Sequence, residues 1–257
     1  MDPEYRDAIF LGTVLLERNR WADGERQPTI AVSDWARRIA DAGFDGLELW
    51  ENHALLAGEE ERDRLRESPV PVRILNCYDR CGDETAAARR RAADLAGFFS
   101  AGGMKFNFGR EPGRHEEYAA NVRAWRALLP RDFRFLCECH GGTTAEDPAR
   151  AAETFDRLGR GDYEVIVHGF GGAADDLRRR FELLGDRITH VHARLPDGAP
   201  AAEPEVRKRL ELLCELGFRG SFTIEFTEGV GGDGESPEAL FRNAVRDLGL
   251  LRKCLER

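Results

Sequence analysis

The chain has 257 residues, 42% of them apolar and 33% charged, with a formal net charge of −9. That length holds one large core or two small ones, and the composition is that of a globular protein, not a disordered or fibrous one. The acidic balance argues against a general binder of nucleic-acid backbone, which needs a basic surface, and no apolar run approaches the roughly 20 residues of a membrane-spanning helix.

In chain order, the start MDPEYRDAIF lacks a basic stretch followed by an apolar one. No secretory signal is expected, and a cytoplasmic location is. AIFLGTVLL (8–16) reads as the first strand. Val32, Trp35, Ile39 and Ala42 then follow one helix face. GFDGLELW (43–50) is the second strand; it carries Glu48 near its end, with Trp50, Glu51 and His53 just beyond. GEEERDRLRES (58–68) reads as a solvated helix face, and PVRILNCY (71–78) and GMKFNFG (103–109) as strands three and four. Lys105, one of few lysines in an arginine-rich chain, shares a face of strand four with Asn107; an inner salt bridge is expected of it.

FRFLCECH (133–140) is the fifth strand. Side chains alternate along a strand, so Glu138 and His140 share one face and Cys137 and Cys139 the other. YEVIVHGF (163–170) ends near His168, ITHVHARL (188–195) carries His190 and His192 with Arg194 beyond, and SFTIEFT (221–227) ends near Glu225. Val206, Leu210, Leu213 and Gly217 mark a helix before that last strand, and Ser236-Pro237 supplies the N-cap and first-turn proline of the final one. The glycine-rich EGVGGDGES (228–236) reads as a flexible lid whose Glu228, Asp233 and Glu235 would repel a phosphate. The six cysteines read as reduced thiols of a cytosolic protein, since neither close pair finds obvious partners for a tetrahedral metal site.

The strand ends recur roughly every 30 residues, the length of one strand–helix unit. Strict alternation implies a parallel sheet, and eight such units with no linker between them predict a single (β/α)8 TIM barrel over residues 1–257. In such a barrel the active site lies at the C-terminal ends of the strands. Glu138, His168, His192 and Glu225 come from four consecutive strands and would converge there. Two carboxylates and two imidazoles suit a divalent metal, with manganese, cobalt, iron or zinc favoured over magnesium because nitrogen ligands are present. The competing reading is a satisfied polar network capping the core.

These pieces resemble the xylose-isomerase-like TIM-barrel superfamily of sugar isomerases and epimerases, apurinic-site endonucleases and related dehydratases. The resemblance rests on GFDGLELW, ECHGGTT, ITHVHARL and FTIEFTEG and runs along nearly the whole chain. It implies one divalent metal on Glu138, His168, His192 and Glu225, with Glu138 and Glu225 as an acid–base pair. In that superfamily strand six usually offers Asp; here it offers His168, which makes the site less anionic and leaves the metal open. The resemblance implies proton transfer beside the carbonyl of a small sugar or polyol ketone. A dehydratase on the same metal site and a non-catalytic sugar- or partner-binding barrel are the alternatives. An endonuclease would want further histidines at strands three and four, and ILNCYD and KFNFG contain none. Glu48, His53, Asn107, His140, His190 and Arg194 are candidate substrate contacts, and Trp50 could wall a sugar ring. No nucleic-acid or membrane partner is expected, and a homo-oligomer is left open.

Overall fold

The computed structural model describes residues 5–22, 26–78, 81–159, 163–198 and 201–256. Eight parallel strands close into a barrel in sequence order: β1 (Ile9–Gly12), β2 (Gly46–Trp50), β3 (Val72–Asn76), β4 (Gly103–Phe106), β5 (Arg134–Glu138), β6 (Glu164–His168), β7 (Ile188–Ala193) and β8 (Ser221–Ile224), with β8 pairing back to β1. Around them run α1 (Ser33–Ala42), α2 (Asn52–Leu55), α3 (Glu59–Arg66), α4 (Ala86–Phe98), α5 (His115–Arg126), α6 (Pro148–Leu158), α7 (Ala174–Leu184), α8 (Glu203–Glu215) and α9 (Pro237–Leu255). The expected TIM barrel is therefore the observed fold. No helix among the described residues is long and apolar enough to cross a membrane.

Each strand lies within the run expected of it and is shorter. The first is the clearest case: after Gly12 the chain turns into a short 3-10 helix over Thr13–Leu16. There the Thr13 hydroxyl accepts a hydrogen bond from the Trp50 backbone N–H at 2.9 Å, a side chain replacing the next rung of the sheet. The expected Ser236 cap is observed, and a second cap of the same kind appears at α6. Ser236 accepts from the Ala239 N–H at the start of α9, and Asp147 does the same for Arg150 at α6, ahead of Pro148.

Strand parity sorts the core into two layers. Outward side chains such as Leu47, Leu49, Leu75, Phe106, Phe135 and Val167 pack under the helices. Inward ones form a small separate cluster of Phe10, Ile74, Leu136 and Ile166, closed from below by Tyr5 and Ala8. One step further along those strands the inward positions turn polar: Ile74 is followed by Asn76, Leu136 by Glu138 and Ile166 by His168. The apolar plug is the floor on which the functional layer stands.

Two features hold the ends. At the N-terminal end Arg134 is buried, paired with Glu164 at 2.8 Å, within hydrogen-bonding distance of Ser221 and Thr189, and laid over the Tyr5 ring. At the C-terminal end the glycine-rich loop after β8 is tied down, contrary to the flexible lid expected from its composition. Glu235 pairs with the buried Arg20 at 3.0 Å, and Glu228 pairs with Arg246 at 2.8 Å. Two of the three loop acids thus meet arginines from other segments of the chain.

Arg134→Ala should therefore lower stability by about 2 kcal/mol, or roughly 4–8 °C in Tm, by leaving Glu164 and the barrel hydroxyls without their partner. Thermal unfolding checks it. Binding at the opposite mouth should be unchanged.

Candidate metal centre

Glu138 closes β5, His168 closes β6, His192 is the penultimate residue of β7, and Glu225 follows β8 directly. Each takes the inward position of its strand end, so four separate stretches of sequence deliver one ligand atom apiece. Those atoms all lie within 4.8 Å of one another. His168 Nε2 is 3.0 Å from Glu138 Oε1, and His192 Nδ1 is 3.2 Å from both Glu138 Oε1 and Glu225 Oε2. Glu138, His192 and Glu225 are buried, whereas the His168 side chain keeps 44% of its surface exposed. Gly12 makes the crowding at β8 possible: a Cβ there would lie 3.2 Å from the Glu225 Cα and from Thr223 Cγ2.

A second group lies directly beneath. Glu48, at 0% exposure, sits 3.2 Å from His192 Nε2 and 3.5 Å from His190 Nε2, and accepts a hydrogen bond from Asn76 Nδ2 at 2.6 Å. His190 is further enclosed by the hydroxyls of Ser221 (2.8 Å) and Thr223 (2.9 Å) and stacks on Phe10. On the other flank, Lys105 Nζ lies 2.8 Å from Glu138 Oε2 and 2.9 Å from Asn107 Oδ1, under the Tyr78 ring at 4.0 Å. Asn107 Nδ2 donates to Glu138 Oε2 at 3.1 Å.

Burial and pairing oppose each other throughout. Burial raises the Glu138 carboxyl, but the Lys105 ammonium and the two imidazoles outweigh it and hold Glu138 well below the ordinary carboxylate range. Glu48 is likewise held down against burial by His192 and His190. Burial lowers the His192 imidazole, yet Glu225, Glu48 and Glu138 lift it well above its usual value. His190, buried mainly among neutral hydroxyls, is pushed down to about 4 despite its contact with Glu48.

The donor set fits a divalent cation. Glu48, Glu138 and Glu225 face a single ammonium, Lys105, so the cluster carries an excess of carboxylate that two positive charges would offset. His192 turns Nδ1 to the ligand group and Nε2 to Glu48, the carboxylate–imidazole arrangement by which proteins orient a metal-binding histidine. Two nitrogens beside two carboxylates suit zinc, manganese, cobalt or iron, and magnesium less well.

The remaining candidates are spread over the mouth. Glu48, His190 and Asn107 are buried with polar partners. His53 is buried with Nδ1 at 2.9 Å from Thr13 Oγ1 and Nε2 at 2.6 Å from Glu17 Oε1, so both ring nitrogens are engaged inside the wall. His140 is exposed, its ring edge-on to His168, and Arg194 is exposed beyond β7. Glu17, Asn76 and Tyr78 are participants that strand-end reasoning passed over. Asn76 and Tyr78 share the inward parity of β3 and were findable by it. Glu17 lies 36 residues from His53 with no pattern linking them.

A cleft of about 1270 Å³ opens at the opposite end of the barrel around Arg73, Arg134, Glu164 and Arg219. Its volume does not make it the reactive centre, because Arg134 and Arg187 in its lining are already in ion pairs and the ligand cluster is elsewhere.

No protein-family model and no curated protein matches this sequence. Solved structures do match in fold. The 3-keto-D-glucoside 4-epimerase YcjR from E. coli is 18% identical, with 97% of this chain and 100% of that one covered at a TM-score of 0.64. A xylose isomerase-like TIM barrel protein from Mycobacterium smegmatis, in complex with magnesium, is 17% identical over 98% of both chains at 0.65. The IolI protein, with a zinc atom bound, is 12% identical over 97% of this chain and 100% of that one at 0.65.

Replacing Glu48 by Gln should weaken zinc or manganese binding by about 10- to 100-fold through loss of the carboxylate that orients His192, and His168→Ala should weaken it at least as much. Competition with a chromogenic chelator measures both. Unaltered affinity in His168→Ala would remove strand six from the ligand set.

Proposed function

We propose that this barrel, whose fold is that of the xylose-isomerase-like TIM barrels, is a divalent-metal-dependent isomerase or epimerase. It would move a proton at the carbon beside the carbonyl of a small polyhydroxylated ketone. The observation that carries the reading is the convergence of Glu138, His168, His192 and Glu225 at the strand ends, within 4.8 Å of one another.

A divalent cation bound by those four side chains would supply Lewis-acid polarisation of the adjacent oxygens of a hydroxy-ketone. The chain's own residues handle the proton. Lys105, Asn107 and the two imidazoles keep Glu138 ionised, the form a general base needs. Glu225 has His192 as its polar partner and is the less restrained carboxylate. The two differ in surroundings, which is how a site separates the group that takes a proton from the group that returns one. Glu48 and His190 act from below by fixing the His192 ring. Asn107 braces Glu138, and His53 braces the wall behind Trp50. His140 and Arg194, open at the rim, are the direct contacts for substrate oxygens among the sequence candidates.

Incubation in deuterated water with manganese, cobalt, zinc or magnesium tests the reading, with ketoses and cyclic polyol ketones as substrates. The wild type should incorporate deuterium at the carbon beside the carbonyl. Glu225→Gln and Glu138→Gln should each slow conversion by about 100-fold or more, since the amide keeps the shape but cannot accept the proton. Loss of water instead of exchange would identify a dehydratase. No reaction on any ketone would leave a binding protein.

A further inference from the structure

The half of the mouth formed by β2 and β3 contains two polar atoms with no hydrogen-bond partner among the described residues. Trp50 and Asn76, both at 0% exposure, are register partners on these adjacent strands. Trp50 Nε1 and Asn76 Oδ1 are buried without a hydrogen-bond partner. The Asn76 side-chain NH2 donates to Glu48 at 2.6 Å, which leaves its oxygen free. A buried donor and a buried acceptor left open each cost free energy, about 1–3 kcal/mol per group. Such atoms call for an explanation when they line a site.

Above them lies Arg26. Its guanidinium carbon is 5.3 Å from the Trp50 ring centroid and 5.2 Å from that of Tyr78, and one of its N–H groups donates to the Arg20 carbonyl. Other arginines near the barrel ends, such as Arg20, Arg187 and Arg246, are paired with acids. Arg26 forms no ion pair among the described residues. It is a positioned cation, held by aromatic faces, with donors left over.

We infer that Trp50, Asn76 and Arg26 form a subsite for a hydroxy-carboxylate, so that the ketone substrate carries an acid group at the end remote from Glu138 and Glu225. The inference rests on the proton-transfer reading for the other end of the substrate. The chemistry matches atom by atom. A carboxylate accepts from the Arg26 guanidinium and the Trp50 N–H, and the neighbouring hydroxyl donates to Asn76 Oδ1. A neutral hydroxymethyl end would leave the cation unmatched. A phosphate would bring a second negative charge close to Glu48 and has no donor for Asn76. Arg26 covers both rings, so entry requires its side chain to lift and re-close on the ligand.

Calorimetric titration in the presence of manganese tests this with L-sorbose and D-fructose. Each is set against the ketose acid in which a carboxylate replaces the hydroxymethyl group farthest from the ketone. At least one acid should bind about ten-fold or more tightly than its neutral counterpart, the size of a charge-assisted contact. Arg26→Gln should abolish that preference without changing neutral binding. Trp50→Phe, which keeps a ring and loses the N–H, should reduce it. Equal affinities within both pairs, a preference that survives Arg26→Gln, or no binding of any of the four would overturn the subsite. Deuterium exchange on the same samples separates the two readings. Exchange without acid preference sinks the subsite alone, and acid preference without exchange sinks the proton-transfer reading alone.

Discussion

Three carboxylates, Glu48, Glu138 and Glu225, are buried around the single imidazole of His192, and the mouth of the barrel is organised by that concentration of negative charge. Unpaired ions cannot be held in a protein interior at tolerable cost. Each carboxylate is therefore met: Glu138 by Lys105, Glu48 by Asn76 and two histidines, Glu225 by His192. What these partners do not neutralise is the charge deficit that a divalent cation would fill. Among the described residues His192 touches all three acids, which makes its ring the mechanical centre of the cluster as well as its electrical one.

The barrel supplies this arrangement through parity. A strand that offers an apolar side chain to the floor must offer its next inward side chain to the mouth, and Leu136–Glu138, Ile166–His168 and Ile74–Asn76 all use that step. The eight strands and the convergence of strand-end carboxylates and imidazoles were legible in the sequence for this reason. Both depend on periodicity of two and on spacing along the chain, which a sequence displays directly. The inner salt bridge of Lys105 followed from the same parity, since β4 and β5 are neighbours and the lysine faces the same interior as Glu138.

What stayed hidden depends on where loops go. Glu235 and Arg20 are 215 residues apart, and their pair turns an apparent glycine-rich lid into a fastened loop. The reading of His53 as a contact for substrate took its nearness to β2 as decisive. The buried pair it makes with Glu17 depends on the turn after β1 folding back, for which no pattern in the sequence speaks. Trp50 was read as a wall for a sugar ring, and its Nε1, without a partner among the described residues, is a feature only the fold shows.

The presence of an imidazole, His168, at the end of β6 gains a physical sense from the same balance of charge. A fourth acid beside Glu48, Glu138 and Glu225 would leave a net negative site even with Lys105 and a divalent ion in place. An imidazole gives a ligand atom without that charge. A divalent ion there would bring the mouth close to electrical neutrality, and a further anion could then approach from the β2–β3 side, where Arg26 forms no ion pair among the described residues. The histidine on one side and the unmatched arginine on the other are consistent with one requirement: a substrate that brings its own negative charge.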